Sequence, residues 1–166
     1  MSEPIHAPHP DKQPNLPRKV PLTDMPTGLM AALVAVGVPR TVLADLNVVP
    51  PESGLLYYVL ALAPYACWLL IAVLRPTRKP IMDFLVLGVL YGISLMVIHQ
   101  VLWGAEGNVI PQSAHDFAEQ FRPGLQELAL RVYTSGIAMV IGVGSGLAGS
   151  AVAFAASRVR KARALR

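Results

Sequence analysis

Apolar residues in this chain come in long blocks, separated by short polar or proline-rich breaks. A soluble helix shows one apolar face, and a half-buried strand alternates; neither pattern dominates here. The clearest block runs from Leu55 to Leu74 without a charge. At about 1.5 Å per residue it matches the roughly 30 Å hydrocarbon core of a bilayer. Pro64 lies inside it, where a kink over Leu60 to Pro64 is expected; membrane helices tolerate proline when neighbours satisfy the freed carbonyl. A second block, 81–103, carries one charge near its start, Asp83, beside Arg78 and Lys79. Charge pairing at the membrane boundary is the expected role of Asp83. The intervening stretch Arg75–Pro80 reads as a tight polar turn, which predicts antiparallel neighbours. A third block, 132–156, is uncharged throughout.

The block 27–48 is ambiguous. Thr27 to Val38 is apolar but too short to cross, and Pro39, Arg40 and Asp45 interrupt the rest of the block. A kinked spanning helix, a short interfacial or re-entrant helix, and a cleaved signal segment compete. The last is disfavoured by the long proline-rich stretch ahead of it. Residues 1–26 hold Pro4, Pro8, Pro10, Pro14, Pro17, Pro21 and Pro26, and so read as a disordered or extended tail. The 104–131 segment is a polar loop. Within it a surface helix is predicted over Ala114 to Arg122, with Ser113 and Asp116 as a capping box and Pro123 ending it. A further helix is expected to start near Gly124 and run into the last span.

Charge decides the threading. Lysine and arginine near span ends stay cytoplasmic. Arg75, Arg78 and Lys79 lie in one loop, and Arg158, Arg160, Lys161, Arg163 and Arg166 in the 157–166 tail. If 27–48 also crosses, Lys12, Arg18 and Lys19 join them. Of the 14 basic residues, only Arg40, Arg122 and Arg131 then lie elsewhere. The fold class expected is therefore an all-α, polytopic membrane protein of four transmembrane helices, or three as the fallback, with both termini cytoplasmic. A bacterial-type plasma membrane is the expected location. Tyr57, Tyr58, Trp103 and Tyr133 fall at the outer ends of these spans, at headgroup level.

Composition agrees. Of 166 residues, 54% are hydrophobic and 14% charged, against about 25% charged in a soluble domain. The net charge of +4 does not indicate nucleic acid, because the basic residues flank apolar blocks. Cys67 is the single cysteine and reads as a packing residue.

Candidate functional residues fall into two sets. Small residues let membrane helices approach closely. Gly88 and Gly92 form a GxxxG pair, and Ala138, Gly142, Gly146 and Ser150 form a stripe, with Gly144 and Gly149 widening it. This helix-packing groove serves internal packing, self-association or another membrane protein. The second set is a possible outer polar cluster of Arg40, Asp45, His99, Gln100 and Glu106, at similar depth in the four-span arrangement. Histidine changes charge near neutral pH, so proton sensing or ligand capture is the function such a cluster suggests. No catalytic, cofactor or metal site is expected: HExxH, GxSxG and the phosphate-binding GxxxxGK[ST] are all missing from the sequence. The pairs His115/Glu119 and His6/His9 lack a third ligand. The leading expectation is a non-enzymatic subunit or accessory factor acting through helix packing in the lipid bilayer. A small transporter or channel built by oligomerising is the alternative, and a membrane-embedded enzyme is third.

Overall fold

The computed structural model describes residues 22–49, 54–105 and 110–164. The proline-rich tail to residue 21, Glu106 and Arg166 lie outside the described residues. Within them the chain is all-helical, and four stretches are long and apolar enough to cross a membrane: Thr27–Asp45, Leu55–Leu74, Pro80–Val101 and Pro123–Ala164.

The first stretch is broken into α1 (Thr27–Ala35) and α2 (Val38–Asp45). Pro39 supplies no amide for the Ala35 carbonyl, so a continuous helix loses a bond there. Gly37 turns its amide to Val34 instead of Leu33. The indole Nε1 of Trp68 donates to the Leu33 carbonyl at 3.2 Å. Gly37 also packs against the ring of Tyr91, which occupies the space of any Cβ at that position. The break thus has a sequence cause, a partner for its orphan carbonyl, and a glycine where contact demands one. The chain nevertheless runs the length of the bundle across the break: Asp24 sits beside the 75–79 turn, while Asp45 reaches His99 at the opposite end.

α3 (Leu55–Leu74) continues through Pro64, and α4 (Pro80–Val101) carries Pro80 in its first turn, where a missing amide costs nothing. The short α5 (Gln112–Ala118) precedes a single 3₁₀ turn at Pro123–Leu125 and the long α6 (Gln126–Ala164). At 39 residues, α6 measures about 58 Å, far more than the bilayer core.

In cross-section, the α1–α2 rod touches α3 and α4, and α6 also touches α3 and α4. α3 and α4 are therefore diagonal, which corrects the expectation that the short turn makes them neighbours. The five residues between them, Arg75 to Lys79, reach about 16 Å when extended, enough for the diagonal. The two helices meet across the centre, where Trp68 and Tyr91 pack edge to face at 5.4 Å. Phe84, Leu87, Met30, Ala72 and Ala153 complete this buried layer. Leu62, Leu69, Leu70 and Leu74 of α3 stay exposed, as side chains against lipid would.

The surface helix also differs from its prediction. It starts at Gln112 and ends at Ala118, and no side chain caps it. Ser113 lies inside the helix. The Asp116 carboxylate is instead engaged by Gln112 one turn back, so the capping box does not form. Ala114 and Ala118 are buried against α6, and Phe117 stacks on Phe121 and Tyr133.

Candidate functional site

Three polar side chains converge at the end of the bundle away from the 75–79 turn. α2 presents Arg40 and Asp45, and the last turn of α4 presents His99. The Nδ1 of His99 lies 3.3 Å from Asp45 Oδ2. Trp103 meets the imidazole edge to face at 5.6 Å. Arg40 donates through Nη2 to the Tyr57 hydroxyl at 3.2 Å, and its guanidinium lies 5.5 Å from the centre of that ring. Two nitrogens remain buried with no hydrogen-bond partner, Arg40 Nε and His99 Nε2. Buried polar atoms without partners cost about 1–3 kcal/mol each, and the two residues that carry them line a void.

That void is an open cavity of about 320 Å³. Arg40, Thr41, Asp45, Tyr57 and His99 form its polar wall. Leu95, Ile137, Ala138 and Ile141 form an apolar one. Tyr91, one turn of α4 before Leu95, does not line it and packs on Trp68 instead.

Of the five residues grouped by depth, the structure brings Arg40, Asp45 and His99 together. Gln100 is turned away, which corrects its assignment to the cluster. One residue along a helix is a rotation of about 100°. Gln100 donates to Ser135 Oγ at 3.0 Å and accepts from Arg131 Nη1 at 3.1 Å. Arg131 in turn holds Glu127 at 2.9 Å and covers the Trp103 ring at 4.7 Å. Tyr57 and Thr134 line the cavity and were not singled out as site residues by sequence. An amphipathic ring at a span end has no signature separating a ligand contact from a headgroup contact.

The small residues meet elsewhere. A Cβ on Gly88 would stand 2.5 Å from the Gly142 carbonyl oxygen and 2.9 Å from the Gly146 amide. One on Gly92 would stand 3.2 Å from the Ala138 carbonyl, and one on Gly146 would stand 2.7 Å from the Phe84 carbonyl. Ser150 donates to the Ile81 and Gly146 carbonyls at 3.0 and 2.8 Å. α4 and α6 thus approach backbone to backbone at Gly88, Gly92, Ala138, Gly142 and Gly146, and Ser150 adds a side-chain contact. Gly149 lies against the Phe84 ring, but Gly144 has open space around it and belongs to the opposite face, contrary to its expected place in the groove.

Asp83 is the third polar centre, at the other end. It is fully buried, 0% exposed. Its Oδ1 accepts from the Asp24 and Met25 amides at 2.8 and 3.3 Å, and Oδ2 accepts from the Thr77 hydroxyl. Its ion-pair partner is Arg75 at 3.9 Å, not Arg78 or Lys79. Arg75 also donates to the Asp24 carbonyl at 2.7 Å. The carboxylate thus straps the segment before α1 onto the 75–79 turn. No group of three or more metal-ligating side chains occurs among the described residues.

Comparison with protein-family models, curated proteins and solved structures finds no match.

Proposed function

We propose that the protein is a non-enzymatic, multi-pass membrane protein that captures a small amphipathic ligand in the Arg40–Asp45–His99 cavity. Four helices of sufficient length and apolarity support insertion. The observation that carries the reading is an open cavity that joins the polar side chains of Arg40, Asp45 and His99 to the apolar Leu95, Ile137 and Ile141. Arginine keeps its charge, so Arg40 favours an acceptor such as a carboxylate. Leu95, Ile137 and Ile141 suit a short hydrocarbon chain. A volume near 320 Å³ sits at the low end for small-molecule sites.

The test uses octanoate as the probe and detergent-purified protein. Trp103 touches His99 and reports through its fluorescence. Saturable quenching is expected, with affinity at least about tenfold weaker in Arg40→Ala, the loss of one charge-assisted hydrogen bond. His99→Ala should weaken it as well. Linear, unsaturable quenching, or equal affinity in both variants, would remove the proposal.

In this reading both termini and the 75–79 turn are cytoplasmic and the cavity opens at the outer leaflet; the clustering of lysine and arginine at those span ends supports it. Reporter fusions at residues 20 and 51 check this; residue 20 should report inside and residue 51 outside. The subunit reading keeps one supporting observation. On α6, Gly136 and Gly144 are exposed with open space around them, which suits close approach by another helix. A pull-down in mild detergent that retrieves the chain alone counts against it. The transporter alternative needs a path past the buried layer of Trp68, Tyr91 and Leu87.

A further inference from the structure

A second depression lies at the opposite end of the bundle, between the start of α4 and the cytoplasm-facing end of α6. Its volume is about 770 Å³. Four basic residues line it, Arg78, Lys79, Arg158 and Lys161, and no acidic residue does. None of the four has an ion-pair partner among the described residues. The Asp24 carboxylate is nearby, but it accepts from the backbone amide of Arg78. Arg158 is held over the Phe154 ring at 5.0 Å, which fixes where its charge stands. The rest of the lining is Thr77, Pro80 and Ser157 together with three apolar side chains. Ile81 is 50% exposed, Met82 47% and Phe154 41%, at a level just inside the basic residues. The amino-terminal end of α4 adds its positive dipole to the same side.

Charge and position together restrict the occupant. Unpaired cations facing one another repel, so the site favours a bound anion. Apolar side chains continuing from it toward the membrane-facing surface favour an anion attached to a hydrocarbon chain. Basic pockets between spans at the cytoplasmic boundary have that character. We infer that this groove is a binding site for an anionic phospholipid, with the phosphate among Arg78, Lys79, Arg158 and Lys161 and an acyl chain along Ile81, Met82 and Phe154. The lipid then bridges the start of α4 and the end of α6 next to the point where Ser150 meets the Ile81 carbonyl.

The full-length protein in detergent, titrated with phosphatidylglycerol or with phosphatidylcholine of the same chains, tests this by native mass spectrometry. A preference for phosphatidylglycerol of about tenfold or more is expected from several basic contacts. The combined variant Arg78→Gln, Lys79→Gln, Arg158→Gln and Lys161→Gln should reduce it to about twofold or less. A matched variant, Lys12→Gln, Arg18→Gln, Lys19→Gln and Arg163→Gln, removes the same charge elsewhere and should keep the preference. Should the first variant misfold by circular dichroism, the pair Lys79→Gln and Lys161→Gln is read in its place. Equal binding of the two lipids, equal losses in the two charge variants, or full competition by millimolar inorganic phosphate would overturn the proposal. The last result would assign the site to a soluble anion.

Discussion

Gly142→Leu is expected to abolish the native α4–α6 pairing and with it the folded monomer. A Cβ at this position would stand 2.5 Å from the Gly88 carbonyl oxygen and would also collide with the backbone of Gly92. Both obstacles are main chain, so no rotamer change relieves them. Overpacking usually costs about 1–3 kcal/mol, and a clash with two backbone sites belongs at or above the top of that range. Native proteins of this size have little stability to spare, so a loss of more than about 3 kcal/mol should appear as aggregation or proteolysis. Gly144→Leu is the paired control. Its surroundings are open, and its folding should match the parent. Thermal unfolding in detergent, followed by size-exclusion chromatography, reads both. Comparable unfolding temperatures for the parent and Gly142→Leu would show that α4 and α6 do not meet at this contact.

Asp83→Ala should have the second-largest effect. It removes the acceptor for two backbone amides, Asp24 and Met25, and for the Thr77 hydroxyl. Met25 is 1% exposed, so water does not readily replace the lost acceptor. Each orphaned buried group costs about 1–3 kcal/mol, and Asp24 and Thr77 are only partly buried, so a loss of about 3 kcal/mol, the low end for three groups, is expected. Arg75 keeps the Asp24 carbonyl and is partly exposed, so its own stranding adds little. Asp83→Asn should cost less, because the amide oxygen still accepts while its nitrogen faces Thr77 and Arg75. Hydrogen exchange gives the local readout. The Asp24 and Met25 amides should exchange faster in Asp83→Ala, while amides at the centre of α4 keep their protection. Unchanged exchange at those two amides would mean the strap does not depend on Asp83.

Hydrophobic blocks report on the surrounding solvent, and that is why four helical stretches were readable from the chain. They report less on where a helix stops. The last block suggests 132–156, yet α6 runs from Gln126 to Ala164, because the polar turns at its ends form helix just as well outside hydrocarbon. Pro39 marked trouble in the first block. Sequence did not say whether the chain turns back or continues; the Trp68 indole and the Gly37–Tyr91 contact accompany continuation, and both partners are distant in sequence. Depth came from counting residues along each helix, so Arg40, Asp45 and His99 could be set at one level. Rotation about the helix axis could not be read the same way, which is why Gln100 was grouped with His99 although it faces α6. The burial of Asp83 was hidden for a related reason, since its partners include the two backbone amides of Asp24 and Met25, which side-chain chemistry does not disclose.

The length of α6 has a mechanical corollary. Its uncharged portion exceeds the thickness of a typical hydrocarbon layer, and a rod of that length inserted in a bilayer would lean over as the layer thinned. α4, joined to it backbone to backbone, would lean with it. Arg40 and Tyr57 stand on other helices, so a thinner bilayer would shift one wall of the cavity past the other.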